Sequence, residues 1–130
     1  MNERPSLQPT RLSKEPGFVS LDLFRPPYAH KLPQRVPGLL AFLHAEDGEE
    51  RVLRLFLCED LAKDFARSRP FCGQANKAAY REFACPKDVD FELHKREQSE
   101  RLRTYAQLIE RYRIRQTAFC LDEFTTVPPT

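Results

Sequence analysis

The side chains of this sequence best suited to chemistry are its histidines, cysteines and clustered carboxylates. The histidines are His30, His44 and His94, and the cysteines are Cys58, Cys72, Cys85 and Cys120. Such residues bind metals or act as nucleophiles when they recur at short spacing, as in CxxC or HExxH. Neither spacing occurs here, so the cysteines are predicted to be reduced, buried thiols. We predict no metal site and no catalytic residue among these side chains.

The carboxylates and glycines form no catalytic pattern either. Carboxylates cluster at residues 46–50 and at Glu59-Asp60, where a turn and a helix cap account for them. The four glycines do not form the GxGxxG, P-loop or GxSxG patterns that cradle phosphate or expose a nucleophile. The sequence therefore predicts a protein that is not an enzyme and needs no cofactor.

Basic residues on or just after one predicted helix form the first candidate binding surface. They are Lys95, Arg96, Arg101, Arg103, Arg111, Arg113 and Arg115. Basic side chains along a helix can follow the phosphates of a nucleic acid. Four glutamates of the same helix oppose a polyanion, and they can pair with the arginines instead, as Glu97 can with Arg101. Nucleic-acid binding is therefore an alternative function, and a solvated helix face is the competing interpretation.

The second candidate surface is the N-terminal arm, residues 1–37, which holds seven of the eleven prolines. Proline fixes φ and removes a backbone donor, so the arm should be extended. Its candidate contact residues are Phe18, Leu21, Asp22, Leu23, Phe24 and Tyr28. Residues 18–24 alternate apolar and polar side chains as a strand does. The arm either packs on the body of the protein or is buried by a partner, and the sequence leaves both open.

Residues 20–24, Ser-Leu-Asp-Leu-Phe, are similar to the short motif with which bacterial replication and repair proteins bind the DNA sliding clamp. That motif has Gln, Leu, Ser or Asp, Leu and Phe in order. Leu21 to Phe24 match its last four positions, and Ser20 stands where the motif has Gln. The resemblance covers five residues and implies docking on a clamp, which would suit the nucleic-acid alternative.

A predicted β-hairpin, residues 38–58, organises the rest of the chain. Its turn is Asp47-Gly48, which tolerates the positive φ angles of a tight hairpin. Residues whose numbers sum to 95 would then pair, placing on the core face Leu40, Phe42, Leu53 and Leu55. The opposite face would carry Leu39, Ala41, Leu43, Val52, Arg54 and Phe56. Because few helices remain to cover it, this opposite face is the third candidate surface, for the arm or for a partner.

The other elements follow from residue periodicity and from capping residues. Helices are predicted over 61–68, capped by Glu59 or Asp60, over 73–84, and from Asp88 or Asp90 to about Arg113. Strands are predicted over 18–24 and 117–124. The predicted fold class is α+β: a small antiparallel sheet centred on the hairpin, with two short helices and one long C-terminal helix. Residues 38–130 would form a single compact domain behind the arm.

Length and composition limit the classes of protein to which this chain could belong. A chain of 130 residues fits one domain, and it has no apolar stretch near the ~20 residues of a membrane span and no apolar signal segment. We therefore expect a small cytoplasmic, non-enzymatic adaptor, regulatory or accessory subunit without membrane contact. It would bind a larger protein or assembly through its arm and its partly uncovered sheet face. A homodimer through that face is also allowed.

Overall fold

The computed structural model describes residues 11–24, 32–85 and 87–115. Its strands are β1 (Val19–Asp22), β2 (Gly38–Glu46), β3 (Glu49–Cys58) and β4 (Lys77–Glu82), and its helices are α1 (Leu61–Ser68) and α2 (Phe91–Arg111). The strands form one antiparallel sheet in the order β1-β4-β2-β3. Short 3-10 turns span Leu12–Lys14 and Arg69–Phe71. The predicted α+β fold with its long C-terminal helix is confirmed.

The turn of the hairpin is the one that the sequence predicts. Asp47 has a φ of 53° and Gly48 a φ of 82°, the two positive angles that a two-residue hairpin loop requires. Next to the turn, His44 pairs with Arg51, in the predicted register. This end of the hairpin is therefore set by local turn chemistry.

Beyond Leu43 the predicted register is wrong, because β3 contains one extra residue, Leu53, between its paired positions. An extra residue forms a β-bulge, and every residue beyond it changes face. Leu55 therefore faces the side predicted for Phe56, and Phe56 the side predicted for Leu55. Strict alternation would have placed Arg54 on the sheet face that α2 covers. The bulge moves it to a groove on the opposite side.

Both faces of the sheet are buried, each by a different helix. Residues packed on the side of α1 form the α1-side core, which includes Leu40, Phe42, Phe56, Leu61 and Phe65. Residues packed on the side of α2 form the α2-side core, which includes Leu12, Leu39, Ala41, Leu43, Leu55 and Leu108. The sheet face that the sequence predicted to be partly uncovered is thus closed by α2 and by Leu12 of the arm.

The predicted helix over 73–84 is wrong, because this segment contains β4. Alanine favours helices in isolation, but tertiary packing overrides so weak a preference. β4 lies between β1 and β2, and its consecutive residues Ala78 and Ala79 enter opposite cores. Small side chains suit a strand that is covered on both faces. Just before the start of β4, the Asn76 side-chain amide continues the pairing with β2 through two 2.8 Å hydrogen bonds to Ala45.

The two helices begin where the sequence predicts. The carboxylate of Asp60 accepts a hydrogen bond from the Lys63 amide at the start of α1. The carboxylate of Asp90 accepts one from the Leu93 amide at the start of α2, at 2.7 Å. These aspartates satisfy amides that the helix itself leaves unpaired. Among the described residues, neither helix is long and apolar enough to cross a bilayer.

Much of the arm that the structure describes packs on the body. β1 pairs with β4 along its four residues, which confirms a strand within residues 18–24. Leu12 and Leu32 are buried in opposite cores. The predicted strand over 117–124 lies outside the described residues.

Candidate functional site

The outer edge of β1 is the candidate site, because no described strand lies beyond it. The Leu23 amide donates to the Asn76 carbonyl at 3.2 Å, and Val19 pairs with Tyr80 in the same antiparallel register. In such a pair, alternate residues direct their main-chain groups toward the neighbouring strand. Val19, Leu21 and Leu23 therefore bond to β4, whereas the N–H and C=O groups of Ser20 and Asp22 point outward.

Two apolar side chains flank this open edge. Val19 is 48% exposed, and Phe24 is 72% exposed. The Asp22 carboxylate accepts a hydrogen bond from the Phe24 amide at 2.9 Å, which holds the turn that presents the phenyl ring. The edge of β1 thus combines outward main-chain groups with an aromatic side chain at its end. We call these residues, 19–24, the β1 edge.

The fold buries some of the arm residues predicted to bind a partner and leaves others exposed. Leu21 and Leu23 are buried in the α1-side core, Phe18 is half-buried against the α2-side core, and Tyr28 lies outside the described residues. A sliding clamp would have to receive both leucines, and here they hold β1 in place. Of the apolar positions in that motif, Phe24 alone is exposed.

The predicted sheet-face residues are mostly core. Leu39 and Leu43 are fully buried beneath α2, and Phe56 is buried on the opposite side. Val52 is half-buried against the α2-side core, and Arg54 lines a groove beside β3. A partner could reach this face only by displacing α2.

Two of the basic residues of α2 are held by contacts within the protein. Arg101 is 4% exposed, and its guanidinium donates to the Cys58 carbonyl at 2.9 Å and to the Glu59 carboxylate at 3.0 Å. Arg103 pairs with Glu100 one turn earlier, at 2.5 Å. Part of the positive charge predicted for nucleic acid is therefore neutralised inside the molecule.

A third arginine, Arg111, joins the arm to the end of α2. Its guanidinium donates to the buried carboxylate of Glu15 at 2.6 Å, and the Tyr112 hydroxyl donates to the same oxygen at 2.5 Å. Burial and the Glu15 carboxylate both raise the pKa of Tyr112. The hydrogen bond to Glu15 likewise raises the pKa of Arg111. These contacts make Arg111 a structural residue.

The remaining basic residues of this region fall into two separated pairs. Lys95 and Arg96 are exposed near the start of α2, with Lys95 lying 5.1 Å from the centre of the Phe91 ring. Arg113 and Arg115 are exposed just beyond its end. At ~1.5 Å per residue, the pairs are roughly 25 Å apart. No continuous basic face runs along α2.

The described thiols and histidines show no catalytic arrangement. Burial, followed by the nearby Asp64 carboxylate, raises the pKa of Cys58 well above its usual value, which disfavours the reactive thiolate. His44 contacts the Gln74 carbonyl and the Glu46 carboxylate, with no thiol beside it. Within residues 11–24, 32–85 and 87–115, no group of three His, Cys, Asp or Glu side chains could hold a metal ion.

Sequence reasoning missed two parts of the exposed surface. Val19 was not among the predicted contact residues, although its place at the end of an alternating strand was the available signal. Arg51 was not grouped with Arg113 and Arg115, yet the three line one depression beside β3. Nothing in their spacing along the chain indicates this proximity.

Comparison with known proteins identifies no relative: no family model, curated protein or solved structure matches this chain.

Proposed function

We propose that this protein is a small non-enzymatic accessory or adaptor subunit that binds a larger protein through the β1 edge. The observation that carries the proposal is the outward main chain of Ser20, at an edge beyond which no described strand lies, beside the exposed ring of Phe24. An extended segment of a partner can add to such an edge as a further strand. The three described cysteines are free, which suits a protein of the reducing cytoplasm.

The short length of β1 limits how strongly its main chain can hold a partner. Four residues leave only two of them facing outward, so main-chain bonds alone would hold a partner weakly. Side chains must supply the rest, and aromatic residues are typical binding hot spots because each can bury about 150–250 Å². Phe24 and Val19 lie at opposite ends of the edge. A partner segment with apolar side chains at both ends would match them.

The four residues of β1 include none of the features that commonly protect an open strand. Lysine, proline and bulges commonly keep edge strands from pairing with other chains. β1 reads Val-Ser-Leu-Asp and carries only one charge, on Asp22, whose carboxylate is engaged with the Phe24 amide. A strand of this composition at the edge of the described sheet, beside an exposed aromatic residue, favours a docking function.

Replacing Ser20 by proline is expected to abolish partner binding while preserving the fold. The Ser20 amide points away from β4, so proline removes a donor to the partner and none within the sheet. Proline also keeps the preceding residue extended, as Val19 already is. Affinity purification from the source organism, with nuclease treatment and mass spectrometry, would compare the parent with Ser20→Pro, Ser20→Ala and Phe24→Ala.

We expect the parent and Ser20→Ala to retain the same protein partner, and Ser20→Pro and Phe24→Ala to lose it. Unchanged circular dichroism and melting temperature in all four proteins serve as the control for folding. Equal retention by the four proteins, or no retained protein with the parent, would refute docking through the β1 edge.

A further inference from the structure

We propose that a basic groove along β3, the edge of the described sheet opposite β1, binds single-stranded nucleic acid. Two depressions of about 410 and 390 Å³ adjoin there and share Leu53 and Arg115 in their linings. One also contains Arg54 and Phe71, and the other Arg51 and Arg113. The surface therefore brings together four arginines from β3 and from the residues after α2.

The charges of three of these arginines are available to a ligand. In the part of the chain that the structure describes, no carboxylate lies within 4.0 Å of the guanidinium groups of Arg51, Arg113 and Arg115. Their fork-shaped donors match the oxygens of phosphate. Each phosphate that they neutralise would release counterions from the nucleic acid and so favour binding.

The one carboxylate among the described residues that line the two depressions does not oppose a polyanion. Glu50 lines one of them, but its side chain is only 2% exposed. Its oxygens accept hydrogen bonds from the amide and hydroxyl of Ser13, and Lys77 lies 3.9 Å away. The exposed carboxylates Glu46, Asp47 and Glu49 line a neighbouring depression at the hairpin turn, which shares only Glu50 and Arg51 with the groove. A bound strand would therefore run from Arg113 past Leu53 toward Phe71, away from that turn.

The apolar part of the groove favours single strands over duplexes. Phe71 is 64% exposed and lies in the depression that contains Arg54 and Arg115. Proteins that bind single strands combine a positive groove with aromatic rings on which bases stack. In a duplex the base faces are covered, so Phe71 would gain nothing from it. Arginines beside an exposed ring thus match an unpaired, phosphate-linked chain.

This site is independent of partner docking at the β1 edge. Its residues come from β3, the Arg69–Phe71 turn and the end of α2, and it shares none with residues 19–24. Two more strands, β4 and β2, separate the edges. A protein with both sites would hold a partner protein and a nucleic acid at the same time.

Fluorescence anisotropy with labelled oligothymidylate and oligouridylate tests the groove, using the full chain. A probe of about 15 nucleotides spans the site sizes typical of such grooves. The parent is compared with Arg51→Gln/Arg115→Gln, with Phe71→Leu, and with Lys95→Gln/Arg96→Gln. The last variant removes the same charge from the far end of α2 and is the matched control. Because all these side chains are exposed, circular dichroism should not change.

We expect the groove variant to lose at least about tenfold in affinity and to lower the salt slope by about 0.7 per phosphate contact removed. Phe71→Leu should lose about tenfold without changing that slope, since stacking carries no charge. Equal affinity for oligouridylate and oligothymidylate supports a site that contacts only phosphates and bases. Tighter binding of oligouridylate would favour RNA as the ligand, and tighter binding of oligothymidylate would favour DNA.

Three results would overturn the proposal. The first is no binding of either probe at low salt, and the second is an equal loss in the control variant. The third is a combined result, in which polyglutamate displaces the labelled probe as strongly as unlabelled oligothymidylate does, and Phe71→Leu binds the probe with the affinity of the parent. That result would assign the groove to an acidic protein.

Discussion

Phe42→Ala is expected to lower the free energy of unfolding by about 3–5 kcal/mol, the range for truncating a fully buried phenylalanine. Phe42 lies at the centre of the α1-side core with no exposed surface. Its ring stacks on Phe65, with centroids 5.6 Å apart, and meets the edge of Phe56 at 6.1 Å. Alanine would forfeit both ring contacts and leave a cavity between β2, β3 and α1.

Urea denaturation measures this loss, with Phe24→Ala as the control because its ring is exposed. A surface truncation of that kind should stay within about 0.5 kcal/mol of the parent. If Phe42→Ala does not fold, Phe42→Leu provides a smaller cavity and a measurable midpoint. A loss below about 1 kcal/mol in Phe42→Ala would contradict the packing of α1 on this face.

Arg101→Glu is expected to destabilise the protein by about 3–5 kcal/mol, the cost of a buried charge without a partner. The new carboxylate would lie where the guanidinium of Arg101 now bonds the Cys58 carbonyl and the Glu59 carboxylate. It would face one oxygen acceptor and one negative charge, and could donate to neither. β3 and α2 would lose their hydrogen-bonded link at this point.

The matched control is Arg103→Glu, the same change two residues further along α2. Arg103 is exposed and pairs with Glu100 on the helix surface, so its reversal should cost less than about 1 kcal/mol. Equal unfolding midpoints for the two variants would contradict the buried role of Arg101. Charge reversal at Arg101 therefore reports on folding, and loss of nucleic-acid binding in such a variant would say nothing of a binding face.

Local signals made much of the fold predictable from the sequence. The dipeptide Asp47-Gly48 specified the hairpin turn, and Asp60 and Asp90 marked the starts of both helices because a carboxylate there satisfies open amides. Alternation in residues 18–24 marked β1. Each of these signals operates within a few residues of the chain.

The parts of the fold that the sequence did not predict depend on contacts between residues that are distant in the chain. β4 is rich in alanine, and its identity as a strand follows from its position between β1 and β2. The bulge at Leu53 follows from the competing demands of two cores and of the Arg54 side chain, which alternation alone does not reveal. Because β4 was predicted as a helix and the extra residue in β3 was missed, the predicted positions of several apolar residues in the core were wrong.

The candidate site could not be located from the sequence for the same reason. β1 was expected to join the hairpin, and it pairs with β4, which leaves its other side as an edge. The clamp-like string of residues 20–24 was visible, but whether Leu21 and Leu23 point inward depends on the sheet. The basic residues of α2 were visible too, whereas their partners Glu15 and Glu59 lie far away in the chain.

Hydrogen exchange at the β1 edge tests the docking proposal most directly. In the free protein, the Ser20 amide should exchange rapidly because it points away from β4, and the Leu21 amide should be protected because it bonds to β4. In the complex with the retained partner, the Ser20 amide should become protected while the Leu21 amide changes little. A Ser20 amide that exchanges as rapidly in the complex as in the free protein would contradict docking through the β1 edge.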